Sequence, residues 1–262
     1  MPQPESQPFE CQGARGQRYG PLEPELERVL AILISGRPCA EAETLKPGRV
    51  WAVRDWVIKR SDPESLYERW LRKSAALRAA EAAFAIAPVE TPRPLVALDV
   101  RRGLRLDCSW LVTRRVRGER IDLALSNDPR AAAAFPAFMQ LMHEHGVIHG
   151  DFNVFNALWD GERWNLIDLD GLRHRLHRGR SERIAEMQWA RVAGTLRDPA
   201  RVRPLFERYA SLRGLPDADA AWRRIEPKAV ELGRHYDAVL ERRRRKEVAR
   251  KAASLDRERA AP

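Results

Sequence analysis

Cysteine is scarce. Cys11, Cys39 and Cys108 are the full complement in 262 residues. They are odd in number and have no C-x-x-C spacing. That argues against a disulfide framework or a thiolate zinc site and fits a reducing compartment. No apolar run reaches eighteen residues, so no segment reads as a membrane span. The opening MPQPESQPFE lacks a basic stretch followed by an apolar one, so no secretory leader is expected. Lysine is also rare, with six residues beside forty-one arginines. No RNA- or DNA-binding motif accompanies the net charge of +10, which ranks a nucleic-acid binder low.

What is present suits a folded protein. Hydrophobic residues make up 44% and charged residues 32%, enough for one large domain or two lobes sharing a cleft. Residues 241–262 hold nine Lys or Arg against four Asp or Glu. They read as a solvated basic helix and tail, with attraction to an anionic membrane surface as the functional alternative.

Residues 1–24, rich in Pro, Gly and Gln, read as a loose arm. A short helix is predicted over 25–35, with Leu26, Val29, Leu30 and Leu33 on one face. Residues 49–59, RVWAVRDWVIK, read as a strand pair broken at Arg54-Asp55. A helical stretch runs from Asp62-Pro63 to about Ile86. The prolines that follow it open an extended segment, PLVALDV, and a second strand is predicted over 108–112. A helix over 128–145 precedes VIHGDFNVFNALWDGERWNLIDLDG. There, strands over 157–159 and 165–169 flank an Asp160-Gly161 turn. From Ser181 onward the pattern is helical. The order predicts an α+β protein with a small mixed β N-lobe over 25–116 and a mainly helical C-lobe over 117–240.

The chemistry is concentrated in His149-Gly150-Asp151, Asn156 five residues after that Asp, and Asp168 twelve further on. A loop carries a carboxylate and then a carboxamide, and a tight hairpin returns Asp168 toward them. Phosphoryl transfer needs such a set. One carboxylate accepts the proton of the attacking hydroxyl, while Asn and a second Asp hold hard divalent cations against phosphate. His143 and His145, two apart on a helix, point about 200° apart and do not suit a shared ion. His149 reads as a brace for the loop. Asp168-Leu169-Asp170 is also a D-x-D, as at the metal sites of sugar-nucleotide transferases, but that reading leaves the His-Gly-Asp loop unexplained.

The segment resembles the catalytic loop and metal-binding Asp of the protein-kinase-like superfamily. The forms IHGD and LIDLDG look like its small-molecule branches. FMQLMHEHGVIHGDFNVFNAL, TPRPLVAL and LFERYASL are similar to the lipopolysaccharide kinases that phosphorylate Kdo or heptose, over about residues 50–212. The resemblance implies a bilobal kinase-like fold, ATP with Mg2+ or Mn2+, Asp151 as catalytic base, and Asn156 and Asp168 as metal ligands. It implies Lys59, ending the strand DWVIK, as the phosphate-binding lysine. Glu81 is its expected carboxylate partner, with Glu68 the alternative. Val112 marks the segment whose backbone would face adenine. The implied acceptor is a sugar or glycolipid hydroxyl met at the cytoplasmic face of a membrane. The alternatives are a kinase of a soluble small molecule or protein, or a pseudokinase binding module. A departure stands ahead of Lys59. Leu45-Lys46-Pro47-Gly48-Arg49 carries a single glycine and no G-x-G-x-x-G, so Arg49 or Lys46 would have to compensate. An A-P-E-like segment is absent too.

Overall fold

The computed structural model describes residues 6–70, 73–174 and 181–259. The chain forms two compact units, one of residues 1–151 and 155–178, the other of 152–154 and 179–262. The first holds an antiparallel sheet and the second is helical, as the α+β expectation requires.

In the first unit, the hairpin β1 (Gln7–Cys11) and β2 (Ala14–Arg18) precedes α1 (Pro24–Ile34). Then come β3 (Glu43–Lys46), β4 (Val50–Val53), β5 (Trp56–Ser61), α2 (Leu66–Trp70), α3 (Ala75–Ala85), β6 (Pro94–Arg102) and β7 (Arg105–Arg114). Seven strands pair in the order β1-β2-β6-β7-β5-β4-β3. The arm expected over 1–24 is thus partly sheet. Its turn is built on Gln12 and Gly13, both at positive φ (50° and 75°), and Gln-Gly is a weaker hairpin signal than Asn-Gly. The single helix expected over 62–86 is two. Ser74 ends the gap between them by accepting the Leu77 N–H and capping α3.

Strand alternation sorts the two faces of this sheet. Ile58, Val96, Leu98, Trp110 and Val112 pack with Leu26, Val29, Leu30 and Leu33 of α1. Their neighbours Ala97 and Leu111 face the other way, onto Ala76, Ala79, Ala80 and Ala83 of α3 and onto Leu169. An all-alanine helix face lets α3 approach the sheet closely. Lys59, next to Ile58, falls on this second face.

The unit continues through β8 (Glu119–Arg120), α4 (Ile121–Asn127), α5 (Pro129–Glu144), β9 (Val147–His149), β10 (Ala157–Trp159), β11 (Trp164–Leu166), a 3-10 turn (Leu169–Gly171) and β12 (Leu172–His174). β10 pairs with β11 and β8, and β12 pairs with β9. Asp160 builds the β10–β11 turn, accepting from the N–H groups of Glu162 and Arg163 at 3.0 and 2.9 Å. Asp128 caps α5 and also accepts from the Trp159 indole at 2.9 Å.

The second unit contains α6 (Ser181–Leu196), α7 (Pro199–Arg213) and α8 (Ala218–Arg259). Trp189, Phe206 and Trp222 form a chain of ring contacts at its centre. α6 and α8 pack through Gly194 and Gly233. A Cβ on Gly194 would lie 2.6 Å from the Ala229 carbonyl oxygen. The basic tail expected over 241–262 continues α8 as far as Arg259.

Candidate active site

Two local features bring distant residues together. The β10–β11 ladder is extended by Ile167 N–H donating to the Asn156 carbonyl at 2.8 Å, which sets Asp168 beside Asn156. Asp168 itself is left-handed, φ 61° and ψ 61°. Few residues besides Gly, Asn and Asp tolerate that region. The turn it makes starts the 3-10 segment, so Asp168 stands just past the strand end rather than on it, and Asp170 comes round to the same place.

His149 is the hub. Its ring is buried, and β9 fixes it opposite Leu172 of β12. The Asp151 N–H donates to His149 Nδ1 at 3.3 Å. Nδ1 is therefore the unprotonated nitrogen, and Nε2–H donates to the Asp168 carbonyl at 2.9 Å. Asn156 Nδ2 lies 3.3 Å from the same Nε2; both are donors in this tautomer, so the two groups touch without a hydrogen bond. One imidazole thus touches all three residues expected to carry the chemistry. Asn156 is buried, while Asp151 is exposed on its loop.

Lys59 joins this group from the sheet. Its ammonium pairs with Asp168 Oδ1 and, at 2.8 Å, with Asp170 Oδ2. Ser61 Oγ, two residues along β5 on the same face, donates to Asp170 Oδ2 at 3.2 Å. Burial works against the Lys59 charge, but Asp170 and then Asp168 outweigh it and raise its pKa. Burial likewise pushes the Asp168 carboxyl upward. Lys59 most strongly, with Lys46, reverses this and holds it below its ordinary value. The centre is a cation held by two carboxylates with a carboxamide beside them.

Two expectations are corrected. Glu81 does not partner Lys59. It is exposed on α3 and pairs with Lys73 at 2.7 Å, because the alanine face of that helix is the one turned to the sheet. Glu68, the alternative, pairs with Arg78 at 3.2 Å. Asp168 and Asp170 hold Lys59 instead. Val112 does not offer free backbone. β7 is longer than its apolar centre suggested, and Val112 lies buried between Ile58 and Val96 of the neighbouring strands. The first residues past the sheet on this strand are 115–118. Asp170 and Ser61 were not among the expected site residues. The D-x-D carried the signal for Asp170, but not its direction.

The donor set suits a hard divalent cation. Asn156 and Asp168 offer oxygens, and Mg2+ needs few protein ligands because it keeps water and phosphate oxygens. Among the described residues, no three His, Cys, Asp or Glu side chains form a metal cage by themselves.

No family model matches the chain, and no curated protein does. Solved structures do. "WaaP in complex with acyl carrier protein" matches with a TM-score of 0.50 at 17% identity, over 80% of this chain and 98% of that one. A crystal structure of WbdD matches at 0.46 and 15%, over 74% of this chain and 51% of that one. The first likeness spans nearly the whole of its counterpart, and the chain shares its α+β fold.

Proposed function

We propose that the protein is an ATP-dependent phosphotransferase, acting on a hydroxyl of a lipopolysaccharide-core sugar or a related glycolipid. The observation that carries this is the contact of Asp151, Asn156 and Asp168 with one histidine, with Lys59 on Asp168. Asp151 is the base. Its exposed carboxylate takes the proton of the acceptor hydroxyl as that oxygen bonds to the γ-phosphorus of ATP and the bond to the departing ADP breaks. Lys59 is the phosphate-binding cation, a compact ammonium already set among carboxylates. Asn156 and Asp168 would hold Mg2+ or Mn2+, which supplies neutralisation of phosphate charge when bound. His149 positions the base and the metal-binding Asp relative to each other. Backbone for adenine would come from residues 115–118.

The sugar acceptor rests on the sequence similarity to lipopolysaccharide kinases. Among the described residues no helix is long and apolar enough to cross a membrane, so contact with a lipid-linked acceptor would be peripheral, helped by the basic end of α8. The test is transfer of label from γ-labelled ATP to lipid-linked and soluble sugars, beside Asp151→Asn. Label on a sugar, lost in the variant, supports the reading. Equal labelling by both proteins, or none by either, sinks it.

A further inference from the structure

The missing glycine loop leaves a question of how phosphates are gripped. Residues 46–49 form a tight turn closed by Arg49 N–H donating to the Lys46 carbonyl at 3.0 Å, with Gly48 at φ +69°. Pro47 and Gly48 occupy the two central positions, as a type II turn prefers. Such a turn is stiff and short. It has no run of glycines to present successive amides to a phosphate.

The register shows what stands there instead. Lys46 is opposite Val50, Val50 is opposite Lys59, and Lys59 is opposite Leu111. Directly opposed residues share a face. Lys46 is therefore on the same face as Lys59, two strand spacings away, about 10 Å. That is the face bearing α3, Leu169 and the Asp168 turn. A register shift between Thr44 and Lys46 sets Lys46 in this row. Arg49 lies in the turn itself, outside the paired strands. Lys46 is exposed, and its charge is among those that lower the Asp168 carboxyl.

We infer that Lys46 is a second phosphate-binding lysine, replacing with a side-chain ammonium the backbone amides that a glycine loop would supply. The inference rests on the nucleotide reading of the site, and it selects Lys46 over Arg49. A charge-assisted contact of this kind contributes about 1.5–3 kcal/mol, so its loss weakens binding by about tenfold or more.

The test is calorimetric titration of the intact protein with ATP in Mg2+ and with adenosine, for wild type, Lys46→Ala, Lys46→Arg and Arg49→Ala. The expected result is ATP binding weakened about tenfold or more in Lys46→Ala, largely restored in Lys46→Arg, and near wild type in Arg49→Ala. Adenosine binding and melting temperature stay unchanged throughout. Equal ATP affinity in wild type and Lys46→Ala overturns the inference alone, as does an equal loss of adenosine. A wild type that binds neither ligand overturns the nucleotide reading with it.

Discussion

The Nε2–H of His149 donates to the carbonyl oxygen of Asp168, nineteen residues on in the chain. The same ring accepts from the Asp151 N–H, so a single side chain sets the spacing between the proposed base and the proposed metal ligand. Replacing it removes both hydrogen bonds, each contributing about 0.5–1.5 kcal/mol. His149→Ala is expected to lower kcat by about tenfold or more and to lower the melting temperature. Steady-state kinetics beside a thermal melt checks both, and an unchanged kcat would remove the positioning role.

The Lys59–Asp168 pair makes stability depend on pH in a definite direction. Asp168 is depressed, so its contribution is present above the ordinary Asp value and lost as pH falls through its folded value. Lys59 is raised, so its contribution is present below the ordinary Lys value and lost as pH rises through its folded value. The pair therefore stabilises across the window between about pH 4 and pH 10. Lys59→Met is expected to melt lower throughout that window, with the gap to wild type closing in acid below it. Melts across pH test this, and a gap that widens in acid contradicts it.

The α6–α8 contact depends on glycine. In an open helix Gly→Ala gains about 1 kcal/mol, but at Gly194 the new methyl meets the Ala229 carbonyl at 2.6 Å. Backbone cannot yield as a flexible side chain can. Gly194→Ala is expected to destabilise by about 1–3 kcal/mol, read from urea unfolding. A stabilised variant would show that the helices part freely.

Much of this was legible in the sequence, for identifiable reasons. The 3.6-residue spacing of Leu26, Val29, Leu30 and Leu33 gave α1, and Arg54-Asp55 marked the β4–β5 turn, where Arg54 is at φ 49°. The three expected residues Asp151, Asn156 and Asp168 lie beside one another around His149 because a local hairpin, held by Asp160, joins them. What was not legible depends on pairing between distant strands. Burial of Val112 follows from having a strand on each side, and the separation of Glu81 from Lys59 follows from which face of α3 meets the sheet. Asp170 was hidden by backbone. In a strand it would share a side with Asp168, whereas here a left-handed Asp168 and a 3-10 turn bring it to Lys59.

The basic end of α8 has a separate consequence. If it meets anionic lipid, each Lys or Arg near the surface contributes about 1 kcal/mol, fading with salt. Deleting residues 241–262 is expected to reduce sedimentation with phosphatidylserine vesicles at low salt while leaving phosphotransfer to a soluble acceptor intact. Equal sedimentation of both forms would take the tail out of the mechanism.

Two carboxylates share one histidine and divide the proposed chemistry between them. In the proposed function Asp151 acts on the acceptor, whereas Asp168 acts on the metal and nucleotide. Both substitutions to Asn keep size, and Asn tolerates the left-handed backbone at 168. The decisive measurement is the affinity for ATP in Mg2+ together with the turnover number, for wild type, Asp151→Asn and Asp168→Asn. The predicted result is that Asp151→Asn binds ATP as wild type does but turns over about 10²–10⁴-fold more slowly, while Asp168→Asn loses the Mg2+-dependent part of ATP binding. Full turnover by both variants, or equal loss of ATP binding in both, would contradict it.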